Sequence, residues 1–323
     1  MNLGWSLGSP LCHVRNVTTS DHVTRENHAV GEHPMTTPGS NAQLATSPSR
    51  RDVVRGLVLA THFGPTLAVT SATTVLAIVA GRGAGAVSVA GAVLAGQCAV
   101  GWSNDALDAP RDRSVGRINK PVVAGLVTPE QLFVGAAVAF LVCIPLSLVS
   151  GWRAALVHLI AVASAYQYNK RFKLGIWSPL PYALSFGLLP AFVTLGLPAH
   201  TWPRPLVMVV TALIGVGAHF INAVVDIDDD RRTGVRGLPQ RCGARWSLNI
   251  GTLALLAAAW LTTTLSVRRT ASLAMAIVVT LLDIAVIVAG LRGHRRLAWR
   301  LAIVGAVGCL AIYVIGGHSL VAT

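Results

Sequence analysis

Runs of about twenty apolar residues, separated by short polar stretches, recur from Leu57 almost to the C-terminus. Each is long enough to cross a hydrocarbon core of about 30 Å. Nine such segments are predicted, at about 57–80, 86–104, 131–149, 153–168, 179–197, 205–225, 247–267, 270–290 and 298–316. Backbone in lipid must satisfy its own hydrogen bonds, and the alternating polarity of a closed barrel is missing, so the segments read as helices. The predicted fold is all-α, a polytopic membrane protein of nine transmembrane helices.

Residues 1 to about 50 break this pattern. They are rich in Ser, Thr, Pro, Gly, Asn and His and carry no apolar period able to offset the entropy of ordering the chain. They read as a disordered leader, with residues 51–323 forming the membrane domain. The leader lacks the apolar core of about 7 to 15 residues that a secretory signal needs, so no cleavage is expected.

Composition agrees with the pattern: 53% of residues are hydrophobic and 12% charged, against about 25% charged in soluble domains. A formal charge of +13 would point to nucleic acid in a soluble chain, but here the charges lie between the apolar segments, and no nucleic-acid partner is implied. Sorting Lys and Arg between alternate loops places sixteen on one side, among them Arg111, Arg117, Lys120, Lys170, Arg231, Arg236 and Arg295, and five on the other. The positive-inside rule puts the first set, the leader and the N-terminus in the cytoplasm, and the expected location is the cell inner membrane. The five cysteines, Cys12, Cys98, Cys143, Cys242 and Cys309, are scattered without CxxC spacing and read as small apolar residues.

Seven of the thirteen acidic residues occupy two short segments at predicted cytoplasmic helix ends: Asp105, Asp108 and Asp112 after the second span, and Asp226, Asp228, Asp229 and Asp230 after the sixth. Like charges this close raise one another's pKa unless a cation compensates them. Asn104, Asp108 and Asp112 share one face of a continuing helix, with Asp105 beside them and Pro110 either bending or ending it. His219, Asn222, Asp226 and Asp230 step along one face in the same way. Hard oxygen donors without His or Cys spacing suit Mg²⁺ together with a phosphate or diphosphate. Arg117 and Lys120 follow the first cluster, and Arg231, Arg232 and Arg236 the second, as a clamp on a polyanion requires. Tyr166 and Lys170, one helical turn apart at the end of the fourth span, are a third candidate group.

These residues resemble the UbiA superfamily of intramembrane prenyltransferases. Asn104 to Asp112 is similar to its first motif, NDxxDxxxD, Asp226 to Asp230 to its second, DxxxD, and Tyr166 with Lys170 to its YxxxK. The resemblance covers about residues 51 to 316. It implies a bundle around a central cavity in which two Mg²⁺ ions link the motifs to an isoprenyl diphosphate. Asn104, Asp105, Asp108 and Asp112 would then serve one metal and Asp226 and Asp230 the other, while Tyr166, Lys170, Arg117 and Lys120 hold diphosphate oxygens. It implies Asp105, Asp108, Asp226, Asp230 and Lys170 as catalytic, His219 and Asn222 as further substrate-binding residues, and a lipophilic or aromatic acceptor of the quinone-precursor type. Departures are Arg236-Gly237-Leu238-Pro239 where many relatives have Arg-Thr-Leu-Pro, and His62-Phe63-Gly64-Pro65 in the first span.

Neutralising the diphosphate stabilises the charge that grows as the allylic C–O bond breaks, and an apolar cavity keeps water from the resulting cation. Other superfamily acceptors are haem, lipid phosphates and sugar phosphates. Phosphatidyl transfer from CDP-alcohols would need a DGxxAR segment, which is absent, and an ion transporter would place its carboxylates near midplane. Asp283, in the eighth span, is either functional, or protonated, or paired within the bundle. His219 either reaches an acceptor hydroxyl or bonds a neighbouring helix. Trp102, Trp177, Tyr182 and Phe186 either line a prenyl pocket or sit at the interface. Met35 precedes a short polar stretch and the first basic pair, so translation is expected to begin there; an intact mass of the natively expressed protein that includes residues 1–34 overturns this.

Overall fold

The computed structural model of the protein describes residues 48–317 and 319–321. The leader reading falls almost wholly on residues 1–47, outside the described residues. The described residues form helices without a strand: α1 (Arg50–Leu59), α2 (Phe63–Val79), α3 (Gly85–Ser114), α4 (Pro129–Leu148), α5 (Trp152–Lys170), α6 (Pro179–Leu195), α7 (Pro205–Val225), α8 (Ile227–Arg232), α9 (Leu238–Cys242), α10 (Ala244–Thr264), α11 (Arg269–Leu291) and α12 (Arg295–Ile315). By length and composition α3, α4, α7, α10, α11 and α12 can cross a membrane, and α1 with α2 makes a seventh candidate bent by 63°. The shorter α6 and the more polar α5 fall outside that set.

The first predicted span, 57–80, is therefore not one straight helix. Pro65 has no N–H to offer the Thr61 carbonyl, which accepts instead from the Thr66 hydroxyl at 2.6 Å. His62 turns the chain with φ of 55°, a left-handed conformation that costs a non-glycine residue energy. Ser49 opens α1 with a capping box: its Oγ accepts from Asp52 N, and Asp52 accepts from Ser49 N, each at 3.2 Å. A Cβ on Gly56 would stand 2.8 Å from Val127 Cβ, and Trp102 Nε1 donates to the Leu57 carbonyl at 2.8 Å, so α1 is seated against α3 and the loop before α4.

Of the two readings of Pro110, the one that ends the helix fails: α3 continues to Ser114 and carries Asp112 inside. The face drawn through His219, Asn222, Asp226 and Asp230 is interrupted, because α7 stops at Val225 and Asp226, with φ of −114° and ψ of 13°, separates it from α8.

Large apolar side chains lie on the outside, among them Val138 and Leu141 on α4, Leu253 on α10 and Leu281 and Ile284 on α11, a surface that water would penalise. Inside, Leu76, Val89, Val157, Phe192 and Leu195 form one core, and Ile221, Leu248, Leu255 and Val286 another. Small residues allow close helix contact, as usual in membranes. A Cβ on Gly215 of α7 would stand 2.5 Å from the Tyr182 carbonyl of α6, and one on Gly217 would stand 2.9 Å from the Gly251 carbonyl of α10. Gly215→Ala is expected to lower stability by about 2 kcal/mol through overpacking against rigid backbone, read as a fall in unfolding temperature in detergent. Gly64→Ala, whose Cβ would meet nothing nearer than 3.6 Å, leaves that temperature unchanged.

Candidate active site

The last turns of α3 carry Asp105, Asp108 and Asp112 at 1%, 6% and 0% exposure. Each buried carboxylate has cationic company. Asp105 Oδ1 accepts from Lys120 Nζ at 2.6 Å and lies 2.9 Å from His62 Nε2. Asp108 Oδ2 accepts from Arg111 at 2.8 Å, and its Oδ1 accepts from Lys173. Asp112 Oδ1 accepts from Arg117 at 3.1 Å, while its Oδ2 is buried without a partner among the described residues.

The second cluster meets the first across two guanidiniums. Arg111 Nη1 lies 3.5 Å from Asp230 Oδ1. Arg117 stands 3.5 Å from Asp226, 3.6 Å from Asp229 and 3.8 Å from Asp230. Apart from Arg111 to Asp112 at 3.9 Å, contacts within the first cluster are of hydrogen-bond length, whereas those across to the second are longer, so the mouth is bridged electrostatically without being laced shut. Burial pushes the Arg117 pKa down, but Asp226, Asp112, Asp230 and Asp229 outweigh it and hold it above the usual value. Burial, with the neighbouring Asp226 charge, raises the Asp230 pKa against the lowering by Arg111, Gln240 and Arg117.

Asp230 is aimed by the loop after α8. Gln240 Nε2 donates to its Oδ2 at 2.9 Å. Leu238 N donates to Ser178 Oγ at 3.0 Å, pinning the loop to the start of α6. A Cβ on Gly237 would stand 2.8 Å from the Lys173 carbonyl, which gives the Arg236-Gly237-Leu238-Pro239 departure a steric reason. His219 lies on the other side of Ser178, with Nε2 3.0 Å from that hydroxyl, packed against the rings of Tyr168 and Tyr182. It does not line the cavity, and its contact is with the first residue before α6.

Both clusters open into a cavity of about 550 Å³, lined at the mouth by Asn104, Asp108, Arg111, Arg117, Lys120, Lys173, Asp226 and Asp230, and inward by Asn222, Tyr182, Phe186, Val162 and Leu189. Tyr166 and Lys170 are exposed and do not line it. The face that α5 turns inward is set by Ala161, Val162, Ala165, Tyr168 and Asn169, the last donating to the Val100 carbonyl of α3 at 2.9 Å. The residues delivered to the site are thus Tyr168 and, after the chain turns, Lys173. The sequence signal for Tyr168 was the 3.6-residue period of α5, whereas Lys173 lies beyond that helix, in the turn that follows it. Arg111, Gln240 and His62 were also missed, since nothing in their own spacing marks them.

Arg231, Arg232 and Arg236 stay outside the cavity, and Arg232 pairs with Asp229 at 2.6 Å. Asp228 pairs with Arg295 at 2.7 Å. Trp102 packs on α1, Trp177 is exposed, and Tyr182 and Phe186 are cavity wall. Asp283 is buried in α11, neither of its oxygens has a hydrogen-bond partner among the described residues, and it lies outside the cavity, so no pairing of it is seen there.

Among the described residues no three His, Cys, Asp or Glu side chains are gathered closely enough to hold a metal unaided. Mg²⁺ asks less, taking one or two carboxylates and completing its shell with water and phosphate. The loosely held, half-exposed Asp226 at the cavity mouth is a donor of that kind, and Asp112, buried behind the cavity lining, keeps one oxygen without a partner among the described residues, so the residues fit the ion.

The family model described as the UbiA prenyltransferase family matches residues 55–303. A 4-hydroxybenzoate octaprenyltransferase of Ralstonia nicotianae is 31% identical over 47% of this chain, and the chain spans only 52% of that relative. A digeranylgeranylglyceryl phosphate synthase of Natronomonas pharaonis is 32% identical over 61% of this chain and 72% of its own length. Among solved structures, the apo form of a UbiA homolog from Aeropyrum pernix K1 superposes with a TM-score of 0.61 at 20% identity, covering 77% of this chain and 97% of that one. A UbiA homolog from Archaeoglobus fulgidus bound to GPP and Mg²⁺ gives 0.52 at 14% identity over 80% and 98%.

Removing one partner of a buried ion pair leaves an uncompensated charge. Arg117→Met is therefore expected to destabilise the protein by about 3 kcal/mol, and Asp112→Asn on that background to restore most of the loss, both read by thermal unfolding in detergent at neutral pH.

Proposed function

Since the chain belongs to the UbiA prenyltransferase family and is an integral membrane protein, we propose that it moves an isoprenyl group from an isoprenyl diphosphate to an aromatic acceptor of the quinone-precursor type, in a Mg²⁺-dependent reaction. The observation that carries this reading is the bridging of two aspartate clusters, distant in sequence, by Arg111 and Arg117 at one cavity mouth. A lipid-type acceptor is the second reading, favoured by the name of the Natronomonas relative.

Two ions are assigned, one to Asn104, Asp105, Asp108 and Asp112, the other to Asp226 and Asp230. Bound there, Mg²⁺ neutralises the diphosphate and makes it a better leaving group. The chain's own cations do the rest of the positioning: Arg111, Arg117, Lys120 and Lys173 exchange carboxylate partners for diphosphate oxygens. The allylic C–O bond breaks with its electron pair leaving on the diphosphate, the acceptor bonds to the allylic carbon, and a proton leaves the acceptor. Meanwhile Val162, Leu189 and Phe186 keep water from the cation.

An apolar chamber of about 140 Å³ adjoins the cavity, sharing Phe186, Leu189 and Trp299 with it and continuing between α2, α7 and α12. Its threonines, Thr73, Thr211 and Thr262, donate to carbonyls of their own helices. The chamber therefore offers the isoprenyl chain a largely apolar surface whose threonine hydroxyls are already engaged. Reading α5 and α6 as further spans restores the nine-span arrangement, and the sixteen Lys and Arg of one loop set support a cytoplasmic mouth in the inner membrane.

Membranes containing the protein are expected to release diphosphate from radiolabelled isoprenyl diphosphate with Mg²⁺ present. Asp105→Ala and Asp226→Ala each lower that rate by at least about 100-fold, and chelation abolishes it. Ion flux without diphosphate release would sink the assignment.

A further inference from the structure

The end of the cavity away from the carboxylates is not uniformly apolar. His158 on α5 is 2% exposed, and its ring stacks on Phe192 at 4.3 Å. Its Nδ1 lies 2.8 Å from Ser147 Oγ, and that hydroxyl lies 2.7 Å from the Cys143 carbonyl. Ser147 has a single proton. Both contacts are satisfied only when the hydroxyl donates to the carbonyl and accepts from Nδ1–H, which fixes the neutral tautomer with a bare lone pair on Nε2.

Nε2 has no protein partner among the described residues, and His158 lines the cavity. Gly96 of α3 faces the ring: a Cβ there would stand 3.6 Å from Nε2, so the absence of a side chain leaves the approach open. The neighbouring Gln97 lines the same cavity, and its amide also has no partner among the described residues. In a wall otherwise made by Val93, Ala161 and Val162, unmet polar groups are costly unless a ligand or water meets them. Gln97 and Asn104 are seven residues apart on α3, which is about 10 Å along the axis. That distance leaves room for the reacting carbon beneath the diphosphate and one ring system beyond it. Of the cations that line the cavity, Arg111, Arg117, Lys120 and Lys173 gather around the carboxylates instead, and Arg296 and Arg300 belong to the first turns of α12, beside the Arg295 that pairs with Asp228.

We propose that this end of the cavity holds the acceptor, and that it selects an uncharged, hydroxylated head group whose O–H donates to His158 Nε2 while its oxygen accepts from the Gln97 amide. The inference rests on the prenyl-transfer reading above. An acceptor entering with a carboxylate or phosphate at this end would meet a lone pair and no cation.

The test uses the full chain in nanodiscs with Mg²⁺ and geranyl S-thiolodiphosphate, an unreactive diphosphate, and compares 1-naphthol with 1-methoxynaphthalene as probes in equilibrium dialysis. The wild-type protein is expected to bind the naphthol about tenfold more tightly, as one hydrogen bond allows. His158→Phe, which keeps the stack on Phe192, should remove the preference, and Gln97→Leu should reduce it, while both retain wild-type affinity for the diphosphate analogue. Should His158→Phe lose the analogue as well, Ser147→Ala serves instead: it frees Nδ1 and should reduce the preference. Equal binding of the two probes to the wild type, or a preference that survives these changes, overturns the proposal alone. Failure of the wild type to bind the diphosphate analogue overturns the prenyl-transfer reading and this inference together.

Discussion

Carboxylates brought together at the end of a membrane bundle repel one another, and the mouth of this cavity depends on the cations set among them. Lys120 on Asp105, Lys173 on Asp108 and Arg117 on Asp112 neutralise the first cluster, and Arg111 and Arg117 extend to the second. The extension is looser than the neutralisation, and Asp112 keeps an oxygen free. A set of charges arranged in this way can exchange partners when a polyanion and its counter-ions arrive, without first breaking a closed hydrogen-bond network.

Helix breaks place those charges. The turn at His62 brings an imidazole to Asp105 and lets α1 lie against α3. The break at Asp226 leaves that residue half exposed while α8 turns Asp230 inward to Gln240 and Arg111. Gly237 has a related role, because its loop passes so close to the Lys173 carbonyl that a β-carbon would not fit. That approach holds Gln240 on Asp230 and joins the end of α5 to the second cluster.

Polarity then divides the interior. The charged mouth gives way to a largely apolar chamber between α2, α7 and α12, and to a wall of α3 and α5 where His158 Nε2 and the Gln97 amide have no partner among the described residues. Chemistry that cleaves a diphosphate and captures a cation needs such a division, since each surface would destabilise the other's ligand.

Much of this was legible in the residues. Apolar run length gives the all-α membrane class, because lipid admits few other backbones, and crowding of Asp105, Asp108, Asp112, Asp226 and Asp230 in a chain poor in acids marks the site, because such repulsion needs a compensating cation. Which side chains complete it was decided by packing. Tyr166 and Lys170 have suitable chemistry and spacing, yet Asn169 locks α5 onto α3 in a rotation that turns them outward and Tyr168 inward. Lys173, Gln240 and His62 reach the carboxylates through a chain reversal, a glycine contact and a helix break, all of which are long-range. A sequence records the period of a helix, but the rotation of that helix about its axis is set by neighbours far away in the chain, and only the folded bundle specifies it.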